Sequence, residues 1–171
     1  IRYKKENIIL AGIWYGKNKP LMSTYLTPIF EALKDLENGF EIQTPTGNTM
    51  LVQGYVVAGT ADLPAKALAM TMIMFNGTYP CIKCHIPGDT ERTDKGGYVR
   101  VFKHEKCDLR TNQSIIDDGS KALRTGTFVR GMRGVPLFAF LKFYDCPLST
   151  GVDSMHGLHL GLFSKMVQCW L

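Results

Sequence analysis

The sequence has no long hydrophobic run, no secretory leader pattern and no framework of paired cysteines. None of its apolar stretches approaches the ~18 residues that a membrane-spanning helix needs, and no basic start leads into the apolar core of a signal peptide. Its five cysteines are an odd number with one close pair. This cysteine usage favours a reducing compartment and metal binding over disulfides. Because no hydrophobic run is long enough to span a bilayer, we expect no membrane partner.

What the sequence does have is enough apolar residues for a core, since 45% of its 171 residues are hydrophobic. We expect one domain, or one and a piece. The chain opens without Met, inside a polar-then-apolar run, which favours a fragment of a longer protein. The net charge of +5 is modest for a nucleic-acid binder but compatible with one. Between residues 83 and 133 there are eleven Lys and Arg against seven Asp and Glu, and a solvated surface explains such a run equally well.

The first third of the chain alternates predicted strands and helices. A strand is predicted over Ile8–Trp14, and apolar residues at helical spacing follow from Met22. Pro28 interrupts that spacing, so the helix either begins there or is kinked. Asn38-Gly39 ends it, and a turn is predicted around residues 45–47.

The second predicted strand carries an acid at its end. The apolar run Val52–Val57 predicts a buried strand, small residues follow, and then Asp62. Pro64 suits a first helical turn, and Ala65–Phe75 predicts a helix. This order indicates an α/β domain, in which ligands collect at the carboxyl ends of strands. Asp62 is therefore either a ligand for Mg²⁺ or only the N-cap of the following helix.

The polar segment 89–127 predicts an irregular insertion, with a short strand at 98–102 and helical turns at 114–123. It is too rich in Lys and Arg to be predicted as core. The last element, from Asp153 to Leu171, predicts an amphipathic helix. At 100° per residue, His156 and His159 fall on its apolar face, so both imidazoles are expected to point into the protein.

Cys81-x-x-Cys84 has the spacing of half a zinc site, because two thiolates from one tight turn reach adjacent corners of a tetrahedron. The two histidines near the C-terminus offer nitrogen ligands. The alternatives are buried cysteines and hydrogen-bonded core histidines. A zinc hydrolase built on these groups is disfavoured, since two thiolates without a nearby general base make a poor hydrolytic site.

Three segments together resemble the DDE transposases of the CACTA/EnSpm type, in the CMC superfamily of cut-and-paste elements. The family pattern is D-x-P-A-[RK], then F-N-G, C-x-x-C-x-x-P-G and D-x-M-H, and all four occur here in order. The segments that carry the resemblance are 7–20, 59–88 and 131–156, the first with Lys19-Pro20 and the last with Gly131-Met-Arg-Gly134 and Tyr144-Asp145.

The resemblance implies an RNase H-like mixed sheet with flanking helices, incomplete in this fragment, and an irregular zinc-stabilised insertion. It implies a partial catalytic core over residues 1–80, the basic insertion over 81–135, and a linker with a C-terminal helix over 136–171. Asp62 corresponds to the second catalytic acid, which binds Mg²⁺ or Mn²⁺. Cys81, Cys84 and His156 resemble part of a zinc site that the superfamily shares with the V(D)J recombinase, with Asp153 and His159 as candidates for the fourth ligand.

The implied activity is metal-assisted hydrolysis of DNA at the element end, followed by strand transfer, in the nucleus. The partners would be double-stranded DNA and possible further copies of the chain. The first and third acids would lie outside the fragment, which should be inactive alone. Phosphate contacts are expected from Lys83, Arg92, Lys95, Arg100 and Lys103. The competing hypothesis is a domesticated, catalytically inactive, zinc-stabilised module that binds DNA or another partner.

Overall fold

The computed structural model describes residues 4–103 and 106–170 and shows a mixed α/β chain, which confirms the predicted class. Two compact units form, Ile1–Gly54 and Tyr55–Leu171, so the predicted boundaries after residues 80 and 135 both lie inside the second unit. The described strands make three two-stranded sheets. The α-helices are α1 Met22–Asn38, α2 Leu63–Ala69, α3 Asn112–Thr125, α4 Cys146–Ser149 and α5 Ser164–Trp170, and the strands are β1 Phe40–Gln43, β2 Thr49–Val52, β3 Gly59–Ala61, β4 Asp89–Arg92, β5 Tyr98–Val101 and β6 Thr150–Val152.

In the first unit, α1 runs unbroken through Pro28 and is followed by Gly39 at φ +95°. Strands β1 and β2 then form an antiparallel hairpin around residues 44–48, as the turn residues predict. The predicted strand Ile8–Trp14 is wrong. Its residues are exposed and join no ladder in the described part of the chain, so the apolar run has no paired strand beside it and packs into no core.

In the second unit, a short strand does precede Asp62, but it is β3 and not the predicted run Val52–Val57. Val52 ends β2, and Val57 is 67% exposed. Strand β3 pairs in parallel with β6, which comes almost ninety residues later in the chain. Helix α2 has Pro64 in its first turn, as predicted, but ends well before Phe75, because Thr71 adopts a left-handed conformation at φ +50°.

Helix α3 contributes to the core although it lies in the segment where the sequence predicted an irregular insertion. Helix α3 buries Ile115, Asp118, Gly119 and Ala122. Met132, Pro136 and Cys146 are also fully buried. The hairpin of β4 and β5 is mostly exposed, and β5 confirms the strand predicted at 98–102. The prediction that residues 89–127 are too basic to be core was wrong for α3, because its buried Asp118 pairs with two arginines outside the helix, Arg110 and Arg130.

The C-terminal segment forms a π-helix over Met155–Phe163 that continues into α5. His156 and His159 are both exposed, so the expectation of inward-facing imidazoles is wrong. No residue of the π-helix or of α5 is buried, so neither face of this segment packs into a core, and the i→i+5 turn also departs from the 100° spacing assumed for the prediction. No helix within residues 4–103 and 106–170 is both long enough and apolar enough to cross a membrane.

Candidate functional site

Asp62 stands at the end of a parallel strand pair, next to a second carboxylate. The register pairs Ala61 of β3 with Val152 of β6, and the following residues are Asp62 and Asp153. Because the two strands run parallel and lie about 4.8 Å apart, both acids follow the ladder at its carboxyl end. We call Asp62, Asp153 and His156 the carboxylate edge. Sequence reasoning found Asp62 at a strand end but missed Asp153 as its neighbour, although the Thr150-Gly151-Val152 run before Asp153 was a possible signal.

Both acids are also engaged locally. Asp62 Oδ1 accepts a hydrogen bond from the backbone N–H of Ala65 at 2.7 Å, so the capping role is real. Asp153 Oδ1 accepts from the backbone N–H of Met155 at 2.9 Å, and its Oδ2 is bonded to Nδ1 of His156. That bond raises the pKa of His156 and lowers the pKa of Asp153, and the charge of Asp62 adds to the rise in the pKa of His156. Within the carboxylate edge, His156 therefore interacts with both acids, with Asp153 through a hydrogen bond and with Asp62 through its charge.

The two thiols of the Cys81–Cys84 turn, which we call the knuckle, lie together. The side chains of Cys81 and Cys84 are close enough for Cys84 to influence the pKa of Cys81, and both residues are half-buried. The backbone N–H of Lys83 donates to Cys81 Sγ at 3.3 Å. Burial raises the pKa of the Cys81 thiol. Two thiols presented from one turn are suited to adjacent positions of a tetrahedral metal site.

The predicted third and fourth zinc ligands do not join this pair. Within the described residues, no group of three or more His, Cys, Asp and Glu side chains is arranged to hold a metal ion. His156 is bonded to Asp153 instead, and His159 is exposed. The knuckle thus fits half of the expected zinc site.

A cavity of about 290 Å³ separates the knuckle from the carboxylate edge. Its walls include Leu63 and Val152, which are sequence neighbours of the two acids, and Cys81 lies on its lining as well. Lys66 of α2 also lines it, and burial lowers the pKa of this ammonium group. Of the predicted metal-binding residues, Cys81 alone lines this mostly apolar cavity, and the two acids are represented there only by their sequence neighbours Leu63 and Val152.

The five basic residues predicted to contact DNA are not equivalent. Lys83 donates to the backbone carbonyls of Pro147 and Leu148, and Arg100 donates to those of Gly88 and Asn76. The Lys103 ammonium lies 3.3 Å from a carboxylate oxygen of Asp89. Arg92 and Lys95 are exposed on the β4–β5 hairpin. Arg92 and Lys95 therefore offer more accessible charge for phosphates than Lys83 or Arg100 does.

A buried arginine behind the knuckle was missed entirely. Arg110 Nε donates to the carbonyl of Cys81 at 2.9 Å and lies 3.3 Å from that of Cys84. The residue is 4% exposed and faces Asp118 of α3. An arginine just before a helix N-cap carries no sequence signal of burial, and its basic surroundings indicated surface.

No protein-family model, curated protein or solved structure matches this chain. The resemblance to transposases therefore depends on the sequence motifs alone. One motif glycine has a purely structural explanation, since Gly131 lies at φ +83° and a Cβ there would approach the Tyr79 carbonyl oxygen to 2.0 Å. That close approach would require glycine in any protein with this local fold.

Proposed function

We propose that this chain is part of the catalytic domain of a CACTA/EnSpm-type DDE transposase, with an RNase H-like fold in the complete domain. Its substrates would be the DNA ends of a transposable element and a target duplex in the nucleus, and further copies of the chain are possible partners. The observation that carries the proposal is the position of Asp62, at the carboxyl end of a parallel strand with Asp153 beside it. Ligand sites of α/β sheets gather at such edges.

The donor set at this edge suits Mg²⁺ or Mn²⁺, which prefer carboxylate oxygens. One oxygen of Asp62 caps α2, and the other has no hydrogen-bond partner among the described residues, so it is available to a cation. When bound, the metal would supply the activation of water or of a 3′-hydroxyl for attack on a phosphodiester. The chain's own part is to hold the metal at Asp62 and to contact phosphates through Arg92 and Lys95 of the β4–β5 hairpin.

The structural zinc ion of the proposal would be held by Cys81 and Cys84. His156, His159 and Asp153 stay the candidates for the remaining ligands, and His156 would have to exchange its bond to Asp153 for the metal. We expect the purified chain to contain about one equivalent of zinc. Cys81→Ser should remove it. A metal content near zero that Cys81→Ser leaves unchanged would eliminate the zinc part of the proposal.

The catalytic part is tested in the longer protein that we expect to contain this chain. It should nick DNA carrying the element ends when Mg²⁺ or Mn²⁺ is added. Asp62→Asn should abolish the nicking, because asparagine keeps the N-cap but loses the anionic ligand. Asp117→Asn, at an exposed position of α3, is the matched control and should nick normally. Unchanged nicking by the Asp62→Asn protein would refute the assignment of Asp62.

A zinc-stabilised module without nuclease activity is the second candidate, and the capping bond of Asp62 favours it. The bond from the Ala65 N–H explains an aspartate at this position without any catalysis. On this alternative the wild-type protein binds DNA through its basic hairpin and nicks nothing. Asp62→Asn then leaves DNA binding, measured by fluorescence anisotropy, as it was.

A further inference from the structure

Arg110 is a charged residue enclosed by the protein. Its side chain has no solvent exposure, although it belongs to the most basic stretch of the sequence. Its backbone N–H donates to the carbonyl of Lys83 at 2.9 Å, and Cys84 and Leu109 form an antiparallel bridge. The backbone before α3 is thereby attached to the knuckle, and it directs the guanidinium behind the two cysteines.

The guanidinium bonds to backbone carbonyls on both sides of the turn. Besides the carbonyls of Cys81 and Cys84, its Nη2 reaches the carbonyl of Tyr79 at 3.5 Å and donates to that of Arg130. Because a guanidinium is planar and its donors are fixed relative to one another, these bonds restrict the turn more than a flexible ammonium would. One rigid group thus holds the ends of the segment that presents both thiols.

Asp118 supplies the counter-charge of Arg110 without a hydrogen bond, since Arg110 Nη1 and Asp118 Oδ2 have no hydrogen-bond partner among the described residues. Its Oδ2 lies 3.8 Å from Nη1 of Arg110, and its Oδ1 accepts from Nε and Nη2 of Arg130 at 3.1 and 2.7 Å. The side chains of Arg110 and Asp118 are 0% and 5% exposed, so the ion pair between them lies away from bulk water, whereas that of Arg130 is 52% exposed. A buried cation without a counter-charge would be strongly unfavourable, and the carboxylate of α3 therefore defines where the guanidinium can lie.

We propose that Arg110, with Asp118 as its counter-charge, is the positioning residue of the Cys81–Cys84 dithiol site, and that it orients the backbone from which the two thiols are presented to a thiophilic divalent cation. The inference rests on the zinc part of the proposed function. It adds residues that touch no metal themselves but orient the backbone of those that do. Groups that orient metal ligands in this way typically contribute about ten- to a hundredfold to metal affinity.

The test is a Co²⁺ titration of the 171-residue chain, followed by the thiolate-to-cobalt charge-transfer band, which reports on sulfur ligation and its geometry. Arg110→Met removes every donor and keeps the side-chain length. We expect it to weaken Co²⁺ binding about ten- to a hundredfold and to alter the band at saturation. Arg110→Lys should recover part of the affinity, since an ammonium can still donate to one carbonyl. Arg124→Met, on the exposed last turn of α3, is the control and should match the wild type.

The outcomes separate this inference from the zinc proposal. A wild-type chain without a thiolate–cobalt band overturns both. A wild-type band that Cys81→Ser abolishes, with a folded Arg110→Met chain binding Co²⁺ as tightly as the wild type, overturns the positioning role alone. If the far-ultraviolet circular dichroism of Arg110→Met shows that this variant does not fold, the Co²⁺ affinity and the charge-transfer band of Arg110→Lys and Asp118→Asn decide instead. Wild-type affinity and an unchanged band in both would contradict the inference, and weakened affinity with an altered band would support it.

Discussion

Helix α3 and the C-terminal helical segment, residues 155–170, are opposites in how sequence relates to burial. Helix α3 is polar, with three apolar residues larger than alanine in fourteen positions, yet it buries four residues. The C-terminal segment is rich in large apolar side chains and buries none. Leu158 is 49% exposed and Trp170 is 75% exposed. Hydrophobicity along the chain therefore does not by itself decide which helix belongs to the core.

The ends of the two helices differ as well. Helix α3 begins with a reciprocal capping box between Thr111 and Ser114, and it ends at Gly126 in the left-handed conformation, at φ +66°. In the C-terminal segment the Ser154 side chain makes no capping bond, the Met155 N–H donates to Asp153 Oδ1 instead, and the helix takes the wider π form. Caps satisfy the backbone groups that a helix leaves open at its ends, so α3 is defined locally before any packing is considered.

The comparison also explains why the expected burial of His156 and His159 was wrong. The sequence-based prediction placed the nitrogen ligands on the apolar C-terminal segment because apolar spacing suggested burial. The groups that actually support the knuckle, Arg110 and Asp118, lie in and next to the polar helix. Charged side chains can be buried when they pair with an opposite charge, and the hydrophobic periodicity of a sequence does not reveal such pairs.

The largest difference between the regions should appear when the buried carboxylate of α3 is removed. Asp118→Ala leaves Arg110 enclosed without its counter-charge, and we expect the free energy of unfolding to fall by about 3–5 kcal/mol. Asp117→Ala, at the next and exposed position of the same helix, should change it by less than about 0.5 kcal/mol. Urea denaturation measures both. Equal effects of the two substitutions would mean that burial of the pair contributes nothing.

A direct comparison of apolar residues comes next. Ile115 is fully buried in α3, and Ile115→Ala should lower the free energy of unfolding by about 2–5 kcal/mol through lost burial and a residual cavity. Leu158→Ala in the exposed segment should change it by less than about 0.5 kcal/mol. Both variants are measured by the same denaturation experiment. A large loss for Leu158→Ala would show that the C-terminal segment is packed in solution.

The caps provide a smaller contrast. Thr111→Ala removes the acceptor for the Ser114 N–H and should destabilise the chain by about 1 kcal/mol. Ser154→Ala should have almost no effect, because the Ser154 side chain makes no capping bond. Thermal unfolding of the two variants at equal protein concentration tests this. A lower melting temperature for Ser154→Ala would contradict the absence of a capping bond from the Ser154 side chain.

The smallest effect is expected at α2, a helix that is capped but only partly buried. Asp62→Ala should lower the free energy of unfolding by about 1 kcal/mol, whereas Asp62→Asn should change it by only a few tenths, because both residues are favoured N-caps. Chemical denaturation of the pair separates the capping role of Asp62 from its charge. A large loss for Asp62→Asn would mean that the charge itself stabilises the fold.

Much of the local structure was predictable from the sequence. Gly39 at the end of α1, Pro64 in the first turn of α2 and the strand near residue 98 are all as predicted, because each depends on backbone chemistry within a few residues. The acid at the end of a strand was also found, although the strand lies nearer to it than the apolar run indicated.

The long-range arrangement was not predictable in the same way. The parallel pairing of β3 with β6 joins residues about ninety positions apart, and three-residue strands are too short to show a period of two. The burial of Arg110 depends on Asp118, Arg130 and the knuckle carbonyls together. No single stretch of sequence contains that information.

The central claim is that Asp62, with Asp153 beside it, forms an edge that binds a divalent cation. It is tested most directly by adding substoichiometric Mn²⁺ to the isotope-labelled 171-residue chain and recording amide resonances, since a paramagnetic ion broadens signals near its site even when it binds weakly. The account predicts selective broadening at residues 61–63 and 152–154, lost in Asp62→Asn and kept in Asp94→Asn. Broadening that is absent from these residues, or that persists in Asp62→Asn, would contradict it.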